Sequence, residues 1–217
     1  MRGIWWLGRW RGIPIALHWT VLLGLPWFLY QTRTFAGMLV AFAAFTFLLL
    51  AHELGHAAVA LWRRVEVVHI RLLFLHGVCA HEAPDYEEDD VLIAWGGVAA
   101  QFVVLVIALG VNFLLPTLSP VAYFWAAPAL AVLIETNLFI MVLNLIPVAP
   151  LDGVKAWRAI PLLREWARDT SWAAPVRELF SARKRARDRR LEAESQRIAA
   201  DIIDRLKKGK SDTPHKE

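Results

Sequence analysis

Four apolar runs divide the chain, at about 13–31, 36–61, 91–115 and 121–146, separated by short polar stretches. Roughly 20 apolar residues at about 1.5 Å each cover a hydrocarbon core of about 30 Å, so each run predicts a membrane-spanning helix. Between the second and third runs, "RRVEVVHIRLLFLHGVCAHEAPDYEEDD" begins by alternating β-branched and polar residues (Val65, Val67, His69, Arg71) and contains Gly77 as a turn former, which predicts a short hairpin. Glu87, Glu88, Asp89 and Asp90 then predict a solvated loop running into the first turn of the next helix, where the helix dipole favours acids. That helix opens "AWGGVAAQ", and small residues at Ala94, Gly97 and Ala100 allow close approach of a neighbour. After Trp172 the pattern changes. Leu191, Ile198, Ile202 and Leu206 share one helical face among charges, predicting an amphipathic helix with a polar end from Gly209. The expectation is an all-α polytopic membrane protein with about four transmembrane helices, a small cytoplasmic β-hairpin and a cytoplasmic C-terminal amphipathic helix. Its core would span residues 1–160 and its tail 161–217.

Composition strengthens this reading. Of 217 residues 57% are apolar and the mean hydropathy is positive, too apolar for a soluble domain of this length. The one cysteine, Cys79, allows no intramolecular disulfide. The basic N-terminus "MRGIWWLGRWRG" precedes an apolar run with no convincing cleavage site, which reads as an uncleaved first span.

Charge sets the orientation. Arg2, Arg9 and Arg11 precede the first run, Arg63, Arg64 and Arg71 follow the second, and Lys155, Arg158, Arg164 and Arg168 follow the fourth. Only Arg33 falls in the loops between, so four spans with both termini cytoplasmic satisfy every cluster. The formal charge of +4 is then mostly topology, and no nucleic-acid partner is expected. The lipid bilayer is the first partner, with the Arg-rich start of the tail suited to anionic lipid. The expected location is the cytoplasmic membrane of a bacterium, and a homo-oligomer is left open.

The candidate chemistry lies inside the second run, where "AHELGHAAVA" follows "AFAAFTFLLL". His52 and His56, four apart on a helix, can present both imidazoles to one ion, and Glu53 lies where a carboxylate can activate water, the arrangement of an HExxH metal site. The bland alternative is a pair of packed core histidines with a buried carboxylate partner. Ionisable groups within a span cost roughly 2.5–3.5 kcal/mol each on insertion scales, which favours a compensating cation. A catalytic zinc takes three protein ligands, and the chain offers a third in "NLFIMVLNLIPVAPLDG". There Pro147 and Pro150 break the helix, and Asp152 with Gly153 forms a turn. Irregular backbone at membrane depth must be buried by protein or face water, and lining a metal site meets that condition.

Together "HELGH" and, about ninety residues later, "NLIPVAPLDG" resemble the site-2 proteases, intramembrane zinc metalloproteases. The resemblance covers roughly the first 160 residues, including "GIPIALHWT" and "GVCAHEAP". It implies that His52, His56 and Asp152 ligate Zn2+, that Glu53 is the general base, and that Asn144 helps to hold substrate near the metal. The substrates implied are single-span membrane proteins, cut within their transmembrane segments. Asn137, nearly on the face of Asn144, is expected either to support substrate binding or to bond a neighbouring helix. Gly97 stands where the family usually has proline, and Gln101 in the region of its customary asparagine. Both departures are read as matters of substrate placement that do not touch the catalytic set.

Other polar residues are weaker candidates. Glu135 is expected to make a structural bond or stay neutral, and His18 to pack. His69, His76, His81, Cys79 and Glu82 match no compact ligand spacing. Two rival functions remain, a membrane metal-binding or transport protein and an inactive helix-binding relative.

Overall fold

In the computed structural model the second apolar run forms one 28-residue helix, α2 (Phe35–Trp62). Thr34 caps it by accepting from the Gly37 amide at 3.1 Å, and Arg64, with φ 63°, turns the chain away beyond its end. The third run lies in α3 (Glu87–Leu118). The fourth is a continuous helical segment made of α4 (Pro120–Ala131), a π-helical turn (Val132–Thr136) and α5 (Asn137–Asn144). The wider turn begins four residues after Pro128. These three segments are long and apolar enough to cross a membrane, so the chain is an integral membrane protein. The structure describes residues 3–74, 76–169 and 191, and the amphipathic helix expected in the tail falls outside them.

The run at 13–31 differs from expectation. It forms strand β2 (Ile13–His18), a 3-10 turn (Trp19–Gly24) and the eight-residue helix α1 (Leu25–Thr32). Strand β1 (Ile4–Trp10), also unforeseen, pairs antiparallel with β2. The expected hairpin is present as β3 (Val67–Leu72) and β4 (Gly77–His81), and the four strands form one sheet in the order β1-β2-β3-β4, with β2 and β3 parallel. A strand buried on both faces reads as a continuous apolar run, which is why periodicity mistook "IPIALH" for part of a helix.

This segment nevertheless follows α2 over most of its length. The Val65 amide donates to the Ala60 carbonyl at 2.8 Å, folding the hairpin back along α2 until Gly77 lies against Glu53. β2 runs beside β3 in the same direction, Gly24 then meets Phe74, and Phe28 of α1 packs on Phe42 and Phe45 with ring centroids 6.5 and 5.4 Å away. Strand, 3-10 turn and helix together measure roughly 40 Å along the path. Sheet neighbours satisfy the backbone groups that a lone strand would expose to lipid.

Two features lock α3 to α2. A Cβ on Gly55 would stand 2.7 Å from the Ala100 methyl and 2.9 Å from the Gly96 carbonyl carbon, so the helices cross through glycine contact. At their polar ends Arg63 pairs with Asp89, which is buried. The acidic run is therefore ion-paired as well as solvated, since Lys155 meets Asp90 at 2.7 Å and Arg158 meets Glu87 at 3.4 Å. Those two cations belong to the segment around the short helix α6 (Gly153–Ala156), which is followed by α7 (Ala159–Asp169). The chain separates into a unit ending at Leu162 and another beginning at Leu163. Every site residue below lies in the first.

Gly55→Val, which forces the crossing apart, should cost roughly 1–3 kcal/mol, read as a lower melting temperature in detergent. An unchanged value would mean the contact does not hold the helices. Topology is checked by labelling in a Cys79→Ala background: an impermeant maleimide applied to one side of sealed vesicles should reach Ser119→Cys or Glu82→Cys, and labelling of both would contradict three crossings.

Candidate metal centre

His52 and His56 occupy successive turns of α2 and are almost fully buried. Their Nε2 atoms are 3.0 Å apart, and the Asp152 Oδ2 lies 3.1 Å from the first and 3.2 Å from the second. The tetrahedral edge set by zinc–ligand distances of about 2.0–2.1 Å is roughly 3.3 Å. This small triangle of two neutral-nitrogen donors and one carboxylate therefore suits a tetrahedral cation. It is the only group of three or more such side chains with metal-ligand spacing among the described residues.

Backbone geometry delivers the carboxylate. After α5 the chain makes tight turns, with the Val148 amide donating to the Ile146 carbonyl at 2.8 Å and the Leu151 amide to that of Val148 at 2.9 Å. A Cβ on Gly153 would come within 2.6 Å of the Ile146 carbonyl carbon, so glycine lets α6 return beside α5. Trp157 Nε1–H donates to the Leu145 carbonyl at 2.6 Å and Trp95 Nε1–H to that of Ala156 at 3.1 Å. With the Lys155–Asp90 and Arg158–Glu87 pairs, these bonds fix Asp152 on both flanks.

Glu53 is 3% exposed, with Oε1 4.0 Å from His52 Nε2. The Cys79 backbone N–H donates to it, and Gly77 packs on its carboxylate. Gly77 therefore provides close approach of β4 to Glu53, while the Leu73 amide donates to the His76 carbonyl where β3 gives way to β4. Burial, then the charges of Glu53 and Asp152, push the Cys79 thiol up to about 12, so it stays a neutral thiol near neutral pH. Asn144 Nδ2 lies 3.4 Å from His52 Nε2, beside the triangle.

The remaining candidates disperse. Asn137 is fully buried and donates through Nδ2 to the Gln101 carbonyl at 2.9 Å, supplying the interhelical bond of the two roles weighed for it. Glu135 sits on the π-helical turn beside a cavity of about 570 Å³ shared with Gln31, Thr34 and Trp125. His18 caps the 3-10 turn through Thr20, and His81 donates to the Glu82 carbonyl.

Two departures expected to concern substrate instead meet the histidines. A Cβ on Gly97 would lie 2.6–2.7 Å from His52 ring atoms, so a larger residue there would displace the imidazole. Gln101, fully buried, accepts from His52 Nδ1 at 3.0 Å. Its signal was present as the lone polar side chain within the apolar stretch from Val91 to Val111. The Ile93 carbonyl, which takes the matching bond from His56 Nδ1 at 2.7 Å, had none, because every residue has a carbonyl.

No sequence model of a protein family matches the chain, and no curated relative is matched by sequence. Among solved structures it is similar to a site-2 protease from Methanocaldococcus jannaschii, with 25% identity and a TM-score of 0.54 over 76% of this chain and 73% of that one. Fold and motifs together support the resemblance of this chain to the site-2 proteases.

Proposed function

We propose that the protein is an intramembrane zinc endopeptidase that cuts single-span membrane proteins within their transmembrane segments. The observation that carries this reading is Glu53, a carboxylate beside the ligand triangle but outside it. A metal carrier needs the three ligands; hydrolysis also needs a base next to them.

A zinc ion held by His52, His56 and Asp152 would polarise the scissile carbonyl and make a neighbouring water acidic enough to lose a proton near neutral pH. Glu53 takes that proton and delivers it to the leaving amine. The Cys79 amide keeps its carboxylate aimed at the reaction, and Asn144 offers an amide N–H to the peptide beside His52. β4 is the edge of the sheet nearest Glu53, and no strand pairs with its outer side among the described residues. An unwound substrate segment can add there as an extended strand. Unwinding is required because a helix keeps its carbonyls hydrogen-bonded and shielded. Helix-breaking residues near the scissile bond are accordingly expected.

Water has a route. A polar cavity of about 700 Å³, lined by Cys79, His81, Tyr86, Asp90, Lys155 and Arg158, opens beside β4. On the arginine asymmetry this mouth is proposed to face the cytoplasm. The position of Glu53 speaks against the transport and inactive-relative readings, which have no use for a base at that point.

Glu53→Gln should retain zinc while losing cleavage of a single-span helical substrate by about 10²–10⁴-fold; cutting at the wild-type rate would end the proteolytic reading. Elemental analysis of His56→Ala and Asp152→Ala should find zinc lost or strongly weakened, and full occupancy in both would remove the metal site.

A further inference from the structure

Each histidine at the centre uses its Nε2 for the triangle and its Nδ1 for an outward hydrogen bond. The two outward acceptors differ in kind. His56 meets the Ile93 backbone carbonyl, which substitution leaves in place. His52 meets the Oε1 of Gln101, a side chain that a single substitution removes. Gln101 is completely buried, so it meets neither solvent nor an incoming peptide. Its own backbone carbonyl is tied to α5 by the Asn137 amide, and its Nε2 has no partner among the described residues.

We propose that Gln101 is the positioning residue of the metal centre, holding His52 in the tautomer that turns a free Nε2 lone pair toward His56 and Asp152. This inference rests on the metal site of the proposed function. With Nε2 given to a metal, His52 would carry its proton on Nδ1 and donate it to Oε1, 3.0 Å away. Rotating the amide by half a turn would present N–H to Nδ1, drive the proton to Nε2 and occupy the atom the metal needs. The other end of the amide has no partner among the described residues, so the bond to His52 is the one hydrogen bond this side chain makes there. The acceptor is also neutral. A carboxylate in its place would make the imidazole a stronger donor to the metal, as second-shell carboxylates do.

The test uses purified full-length protein and zinc alone as the probe. Zinc affinity is measured by chelator competition, and the His52 tautomer by 15N NMR of the metal-free protein labelled at histidine, with the signal assigned through a His52 variant. Wild type should show the Nδ1–H form. Gln101→Leu should bind zinc about 10–100-fold more weakly and show a tautomer mixture. Gln101→Glu, close in shape, should keep the Nδ1–H form and bind at least as tightly as wild type. A Gln101→Leu protein with wild-type affinity and an unmixed Nδ1–H form would overturn the proposal. Should that variant fail to fold, weaker binding by Gln101→Glu would overturn it equally. Failure of the metal reading itself is distinguishable: wild type would bind no zinc while the tautomer still followed residue 101.

Discussion

Two imidazole nitrogens and a carboxylate oxygen within 3.2 Å of one another, deep in an apolar bundle, are the contact around which this fold is arranged. Ionisable groups at that depth are costly unless each finds a partner, and a cation satisfies all three at once. The surrounding structure serves to bring the third donor to the first two. Helix α2 presents the histidines a turn apart, the glycine crossing with α3 brings Gly97 onto their rings, and the chain breaks after Asn144 so that Asp152 can return to them. The ion pairs at the acidic start of α3 and the two tryptophan bonds then keep that break in one shape.

A second constraint follows from the first. The proposed chemistry on a peptide would need extended backbone near the triangle, yet lipid tolerates no unpaired backbone. The sheet resolves this. The strands pair in the order β1-β2-β3-β4, and of the two edges it is that of β4 that lies against Glu53. The same pairing lets the first twenty or so residues after Gly12 follow α2 without forming a long helix.

What could be read from the sequence was what carries its own signal. Charged and imidazole groups in apolar runs are conspicuous, so His52, Glu53, His56 and Asp152 stood out, as did the helices whose length alone implies a crossing. The hairpin was visible through alternation. Invisible features were those whose cause is tertiary. β2 is a central strand with Ile13, Ile15 and Ala16 buried, and nothing local distinguishes it from helix. Gly77 looked like a turn residue, but its lack of a side chain accommodates the Glu53 carboxylate. Gln101 and Gly97 looked like changes to substrate placement because motif positions were compared without the crossing that turns both toward His52.

The central claim concerns what occupies the triangle, and zinc-edge X-ray absorption of the purified protein tests it without a substrate. Two imidazole nitrogens and a carboxylate oxygen predict only light scatterers in the first shell, at about 2.0–2.2 Å. The imidazoles should also give their outer-shell scattering. A sulfur contribution near about 2.3 Å, which would bring in Cys79, or a first shell without imidazole, would contradict the centre described for His52, His56 and Asp152.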